Sequence, residues 1–152
     1  VVGQAGLPSG EAAVRTGFGG VRWPGRFECV VVGGARVVLD GAHTAAAAAA
    51  LARSMAEVYP GEQAVAVLGL SADKNAGEIL AALRPVVSRV VATAATSPRA
   101  SSPQEVAAAA VAAGLPAETA PSVAEAAGRA LALAGIDSGV ILVAGSLYVV
   151  GE

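Results

Sequence analysis

The sequence predicts an α/β fold: a Rossmann-like three-layer sandwich with a mostly parallel sheet and one antiparallel strand from an opening hairpin. Three observations predict it. Short valine-rich runs alternate with alanine-rich stretches of helical length from Phe27 to Val143, and such alternation implies crossovers and a parallel sheet covered on both faces. Hydrophobic residues make up 55% of the chain but aromatics only 3%, so Val, Leu, Ile and Ala must build the core, as they do where helices pack closely on a buried sheet. The length, 152 residues, fits one domain with a real core.

Residues 1–25 are glycine-rich, include Pro8 and Pro24, and show no sustained period. We read them as a connector with a short helix near Glu11 to Thr16. Phe27 to Val32 is an apolar, β-branched run, Gly33-Gly34 is a hairpin turn signal, and Val37 to Leu39 is the second strand. Thr44 can cap the next helix, because its hydroxyl accepts an early backbone N–H. That helix runs to about Tyr59, where Pro60-Gly61 ends it. Ala64 to Leu68 is a strand, and Ala76 to Leu83 a helix stopped by Pro85. Arg89 to Ala92 is a strand; Ser102 and Pro103 open a helix that ends at Gly114. A short strand follows near Glu118 to Ala120, then a helix capped by Ser122 to about Ala134. Val140 to Val143 is the last strand, followed by a turn.

Composition excludes several classes. Net charge is -2 and no Lys/Arg cluster stands out, which argues against nucleic acid or an anionic membrane as partner. Cys29 is the single cysteine, so no intrachain disulfide can form, as a reducing cytoplasm predicts. It lies in an apolar run and reads as a small core residue. Val1 to Gly10 lack the basic start and apolar stretch of a targeting segment. The apolar run Gly139 to Val150 is shorter than the roughly 20 residues of a membrane-spanning helix. One His and one Cys on different elements make no zinc site, and no nucleophilic triad is visible. The chain has no G-x-x-x-x-G-K-S/T loop. Gly17-Phe18-Gly19-Gly20 comes before any strand, so the dinucleotide glycine fingerprint is missing and a nicotinamide-dependent oxidoreductase is disfavoured.

The most informative stretch is Val37-Val38-Leu39-Asp40-Gly41-Ala42-His43-Thr44. An apolar strand ends in Asp40, and a glycine turn carries the single histidine to the mouth of a helix. In a parallel sheet that is the carboxyl end of a strand, where ligands bind. Asp40 can accept the two hydroxyls of a ribose, or merely cap the turn. His43 can bond a carboxylate or stack beside a base, or merely be exposed. Arg26, entering the first strand, has a donor fork that suits phosphate or carboxylate oxygens; a surface arginine is the plainer reading. Lys74 can neutralise a phosphate or pair with Asp40, or be a solvated lysine beside a helix cap formed by Asp73 or Asn75. Arg99 can hold a carboxylate, and Ser146 can cap a helix and offer its hydroxyl to a ligand. Asp40, His43, Lys74, Arg99 and Ser146 each follow a strand, so a parallel sheet gathers them on one edge.

The chain resembles the C-terminal domain of folylpolyglutamate synthase / dihydrofolate synthase, in the Mur ligase superfamily. The matching pieces are Pro24-Gly25-Arg26-Phe27-Glu28, Leu39-Asp40-Gly41-Ala42-His43, Leu70 to Lys74, Pro98-Arg99-Ala100 and Gly145-Ser146-Leu147-Tyr148-Val149-Val150-Gly151-Glu152. They stand in the family's order and cover nearly all of the chain from Trp23. The resemblance implies a connector over residues 1–25 from an N-terminal ATPase domain that this chain lacks, and a glutamate-ligase domain over 26–152. It implies an ATP- and Mg-dependent ligase in which a folate or dihydropteroate carboxylate is phosphorylated and L-glutamate attacks the acyl phosphate. By position Arg26 and Asp40 are implied to bind ATP, and His43 and Ser146 glutamate; Lys74 and Arg99 are weaker carry-overs. No catalytic residue and no metal ligand is carried over, because the P-loop and the Mg2+ site belong to the N-terminal domain. The family commonly has Asn-Pro after the histidine, where Thr44-Ala45 stands here. The chain starts without Met and stops abruptly after Gly151-Glu152, so we expect a cytoplasmic fragment that folds and does not ligate alone. The rival readings are a peptidoglycan Mur ligase domain and a non-catalytic Rossmann-like binding module.

Overall fold

The computed structural model describes residues 10–135 and 139–152; the first nine residues of the expected connector lie outside them. A helix α1 (Glu11–Gly19) precedes the sheet and buries none of its residues. The hairpin follows, β1 (Glu28–Val32) and β2 (Ala35–Leu39), and then α2 (Ala45–Val58). The alternation continues with β3 (Ala64–Leu68), α3 (Ala76–Leu83), β4 (Val87–Ala92), α4 (Pro103–Ala112) and β5 (Ala117–Thr119). It ends with α5 (Val123–Ala134), β6 (Val140–Ala144) and a short α6 (Leu147–Gly151). The sequence expects a turn after β6, with Ser146 offered as the cap of a helix. Ser146 there accepts the Tyr148 N–H and starts one more helical turn.

The sheet runs β1-β2-β6-β3-β4-β5. β1 and β2 pair antiparallel, and every other neighbouring pair is parallel. Central β3 and β6 are buried throughout, Ala-Val-Ala-Val-Leu and Val-Ile-Leu-Val-Ala, as expected for parallel strands covered on both faces. One layer buries Leu51 and Met55 of α2, Ile79 and Leu83 of α3 and Val106 of α4 against Val38, Leu68, Val90 and Leu142. The other buries Val123, Ala126 and Ala130 of α5 and Val149 of α6 against Val67, Val91, Ile141 and Val143.

Side-chain caps start these helices where the sequence expects them. Thr44, Ser102 and Ser122 accept the N–H groups of Ala47, Glu105 and Glu125. Asn75 rather than Asp73 caps α3, accepting from Glu78. One expectation fails: Cys29 is exposed, not a core residue. It sits on the edge strand β1, whose residues are alternately half-buried and exposed up to Val31; the Tyr59 hydroxyl donates to its sulfur at 3.7 Å. Burial, with the thiol as the next cause, raises the Tyr59 pKa above its ordinary value.

The topology fixes where a ligand can sit. The chain runs from β2 past the place of β6 to β3, β4 and β5, and returns through α5 to insert β6 between β2 and β3. The strand order therefore reverses around β6, and crevices at the carboxyl ends of parallel strands open at such reversals. Among the described residues no helix is long and apolar enough to cross a membrane.

Candidate functional site

The loop before β1 is bolted to the end of β2. Asp40, just past β2, accepts the Phe27 N–H at Oδ2 and the Ala42 N–H at Oδ1, both at 2.8 Å. The Gly41 N–H reaches the Gly25 carbonyl at 2.9 Å, and Glu28 accepts the Gly25 N–H at 2.9 Å. These bonds hold Phe27 at φ 47, the one described non-glycine residue with positive φ. Such a conformation costs on the order of 1–3 kcal/mol and persists where its surroundings over-determine it. The consequence is local: Arg26, between Gly25 and the strained Phe27, is carried against Gly41. Its guanidinium makes one long bond, 3.4 Å, to the Gly25 carbonyl, so most of its donor fork is unused by the described residues.

Two clefts open on this edge, and His43 lines both. The first, about 370 Å³, has Arg26, Asp40 and His43 at one side and Ala47, Ala50 and Leu51 of α2 as an apolar wall. Asp40 keeps acceptor capacity there, because a carboxylate has about four lone-pair positions and two are used. The second, about 310 Å³, is lined by His43, Ser71, Lys74, Arg99, Ser146 and Tyr148. His43 Nδ1 lies 2.8 Å from the Gly41 carbonyl. A carbonyl can only accept, so Nδ1 carries the proton in that contact and Nε2 is left as an acceptor while the ring is neutral.

The six residues singled out in the sequence thus reach one edge but divide between two clefts. Arg26 and Asp40 share the first; Lys74, Arg99 and Ser146 share the second; His43 stands between. The suggested Lys74–Asp40 pair does not form. Lys74 Nζ pairs with its neighbour Asp73 at 2.8 Å, while the Asp40 oxygens turn to the Phe27 and Ala42 amides in the other cleft. Sequence reasoning missed the part Asp73 plays. It also binds Arg99 Nη2 at 3.3 Å, and the Lys74 ammonium chiefly, then Arg99, hold its carboxyl below its ordinary value. The adjacency of Asp73 and Lys74 was visible; the partner 26 positions on was not. Leu147 and Tyr148, exposed on α6, are further cleft residues that only the extra helical turn brings there.

Residues 25–147 match the family profile described as Mur ligase, glutamate ligase domain. The chain belongs to the Mur ligase family. Within it, the chain is 44% identical over 88 residues to a Mycobacterium tuberculosis dihydrofolate synthase/folylpolyglutamate synthase, a match covering 58% of this chain and 18% of that one. In three dimensions it resembles the M. tuberculosis folylpolyglutamate synthase solved with ADP and AMPPCP, with a TM-score of 0.87 and 34% identity over 99% of this chain and 36% of that one. A bifunctional folylpolyglutamate synthase/dihydrofolate synthase solved with Mn, AMPPNP and L-glutamate gives a TM-score of 0.84 and 30% identity over 99% of this chain and 35% of that one. This Mur ligase chain therefore spans about a third of the length of these solved relatives.

Proposed function

We propose that this chain is the glutamate-ligase domain of an ATP-dependent amide ligase that adds L-glutamate to a folate or dihydropteroate carboxylate through an acyl phosphate. The observation that carries the proposal is the pair of adjoining clefts joined at His43. Such a reaction needs a nucleotide and an amino acid side by side, with the amine next to the activated carboxylate.

In the first cleft Arg26 would bind the ATP phosphates through its unused fork, and Asp40 the ribose through its remaining lone pairs. The alanine and leucine wall of α2 suits a flat apolar base. In the second cleft His43 and Ser146 would orient L-glutamate, with Lys74 and Arg99 as the weaker candidates for its carboxylates. Ser146 spends its oxygen as an acceptor for the Tyr148 N–H at 3.1 Å, which leaves its O–H proton for a ligand oxygen. The reading assigns this domain binding and positioning rather than bond making. Positive donors at the developing acyl phosphate stabilise its charge, and closure against an ATPase domain in cis would exclude water from the intermediate.

Mg2+ neutralises phosphate charge in such ligations. Among the described residues no group of three or more His, Cys, Asp or Glu side chains is placed to hold a metal ion, and the resemblance puts the Mg2+ site in the N-terminal domain. The reading therefore leaves the metal to the ATPase domain, with folate and ATP bound across the two domains.

Titration of the 15N-labelled chain with AMPPNP and with L-glutamate tests the proposal. AMPPNP should move the amides of Phe27, Ala42 and His43, and L-glutamate those of His43, Ser146 and Arg99. The chain alone should show no ATP- and glutamate-dependent ligation. L-glutamate shifts confined to residues outside both clefts, or turnover untouched by Asp40→Ala and His43→Ala, would refute it.

A further inference from the structure

The second cleft is built from two strand-end loops that the backbone zips together. The Ala72 N–H donates to the Arg99 carbonyl and the Ser101 N–H to the Leu70 carbonyl, both at 2.8 Å, around an antiparallel bridge between Ser71 and Ala100. Glu152 adds a clamp by accepting the Thr96 N–H at 2.7 Å. Arg99 is thereby fixed in backbone position opposite Asp73, although the two are far apart in sequence. The Asp73 carboxylate splits its oxygens: Oδ2 takes Lys74 at 2.8 Å and Oδ1 takes Arg99 at 3.3 Å. Lys74 and Arg99 line the cleft, and Asp73 does not.

We infer that Asp73 is a positioning and selectivity residue of this cleft: a built-in counter-anion that presents Lys74 and Arg99 to it, leaves one net positive charge, and yields Arg99 to an arriving monoanionic carboxylate. The inference rests on reading this cleft as the amino-acid site. The two contacts differ in the way the exchange requires. Lys74 is the shorter and more sheltered, 28% exposed in its side chain, and stays with Asp73. Arg99 is the longer and looser, 72% exposed, and its planar fork can turn from one carboxylate to another. An exposed pair of that kind is weak enough to be exchanged.

The resident carboxylate also selects by charge. Its repulsion of a ligand scales with ligand charge, so a factor that lowers monoanion affinity is squared for a dianion. At a separation of roughly 5 Å in water at about 0.1 M salt that factor is about twofold for L-glutamate, net charge minus one, and about fivefold for a phosphate dianion. Asp73 thus favours a monoanionic amino acid over free phosphate, which a neighbouring phosphate-handling cleft would otherwise supply in competition.

The test is titration of the 15N-labelled chain at pH 8 with inorganic phosphate and, separately, with L-glutamate, followed at the Lys74, Arg99 and Ser146 amides and the Arg99 Nε–H. In Asp73→Asn, phosphate binding at these groups should tighten about fivefold and L-glutamate binding by no more than about twofold. Asp73→Glu should restore the wild-type ratio, which a merely structural role would not require. Phosphate affinity at these groups equal in wild type and Asp73→Asn overturns the inference, as does the absence of phosphate binding in both. A phosphate gain with no response to L-glutamate in any variant keeps the counter-anion and rejects the amino-acid reading. Asp73→Ser, which also removes the charge, answers the same question if Asp73→Asn does not fold.

Discussion

At the amino ends of the strands, Arg36 spends its fork on the protein itself. Its two terminal nitrogens bond both carboxylate oxygens of Glu62, and the guanidinium lies 5.2 Å from the centre of the Tyr59 ring. At the carboxyl ends Arg26 makes one bond of 3.4 Å to a backbone carbonyl, and Arg99 one of 3.3 Å to Asp73. Residue type is the same at both edges. What differs is how far the neighbours saturate the donors, and a saturated fork is structure while an unsaturated one is capacity for an external anion. The backbone differs in the same sense: the strained Phe27 stands on the carboxyl edge, beside Arg26.

The largest expected effect tests how tightly the carboxyl edge is built. Gly145 has φ +99, and a Cβ there would overlap the Gly69 carbonyl oxygen, backbone that cannot swing away. Gly61, at the amino edge just before β3, has φ +77 and open space around it. Gly145→Ala should cost on the order of 3 kcal/mol or more, strain and overlap together; Gly61→Ala should cost about 1 kcal/mol, from the left-handed backbone alone. Urea unfolding of the two variants checks this. Equal losses would mean that the loop after β6 relaxes freely and that the two edges do not differ in rigidity.

Arg26 and Arg36 sharpen the comparison of function. Arg26→Ala should weaken AMPPNP binding about tenfold, as loss of one charge-assisted phosphate contact does, and leave the urea midpoint nearly unchanged. Arg36→Ala should do the opposite, lowering thermal stability slightly with no change in nucleotide affinity. Calorimetric titration and melting of both variants read the two effects separately. A nucleotide affinity that falls equally in both would show net charge at work rather than a site.

These contrasts also show what the sequence could say. The strand–helix alternation, the Thr44, Ser102, Ser122 and Ser146 caps and the gathering of Asp40, His43, Lys74, Arg99 and Ser146 on one edge were legible, because each follows from local period, capping chemistry or strand position. The division into two clefts was not, since it depends on β6 inserting between β2 and β3, a long-range choice. Cys29 was misread because an apolar run looks the same in an edge strand as in a central one. Asp73 was read as a possible cap; its pairing with Arg99 needs the bridge between the loops after β3 and β4. The left-handed Phe27 had no local signal, as it is imposed by the Asp40 carboxylate 13 residues away.

The smallest expected effect concerns acid stability, where the two edges again part. The Arg36 guanidinium holds the Glu62 carboxyl below its ordinary value of 4.5, and Lys74 holds that of Asp73 below 3.8. A carboxyl whose folded pKa is depressed adds stability above its unfolded pKa and loses it as pH falls through the folded value. Both pairs should therefore contribute at neutral pH and fade between about pH 5 and pH 3. Glu62→Gln should be less stable than wild type at pH 7, fall less steeply on acidification and meet wild type near the acid end. Asp73→Asn should show the same shape with smaller amplitude, because Asp73 is the more exposed carboxylate and holds Lys74 and Arg99 by single contacts, where Arg36 grips both oxygens of Glu62. Urea midpoints from pH 7 down to pH 3 measure it. If Asp73→Asn flattened the curve more than Glu62→Gln, and Arg99→Ala flattened it as much as Asp73→Asn, Arg99 rather than Lys74 would carry the effect, and the distinction between saturated and available arginines would fail at its most direct point.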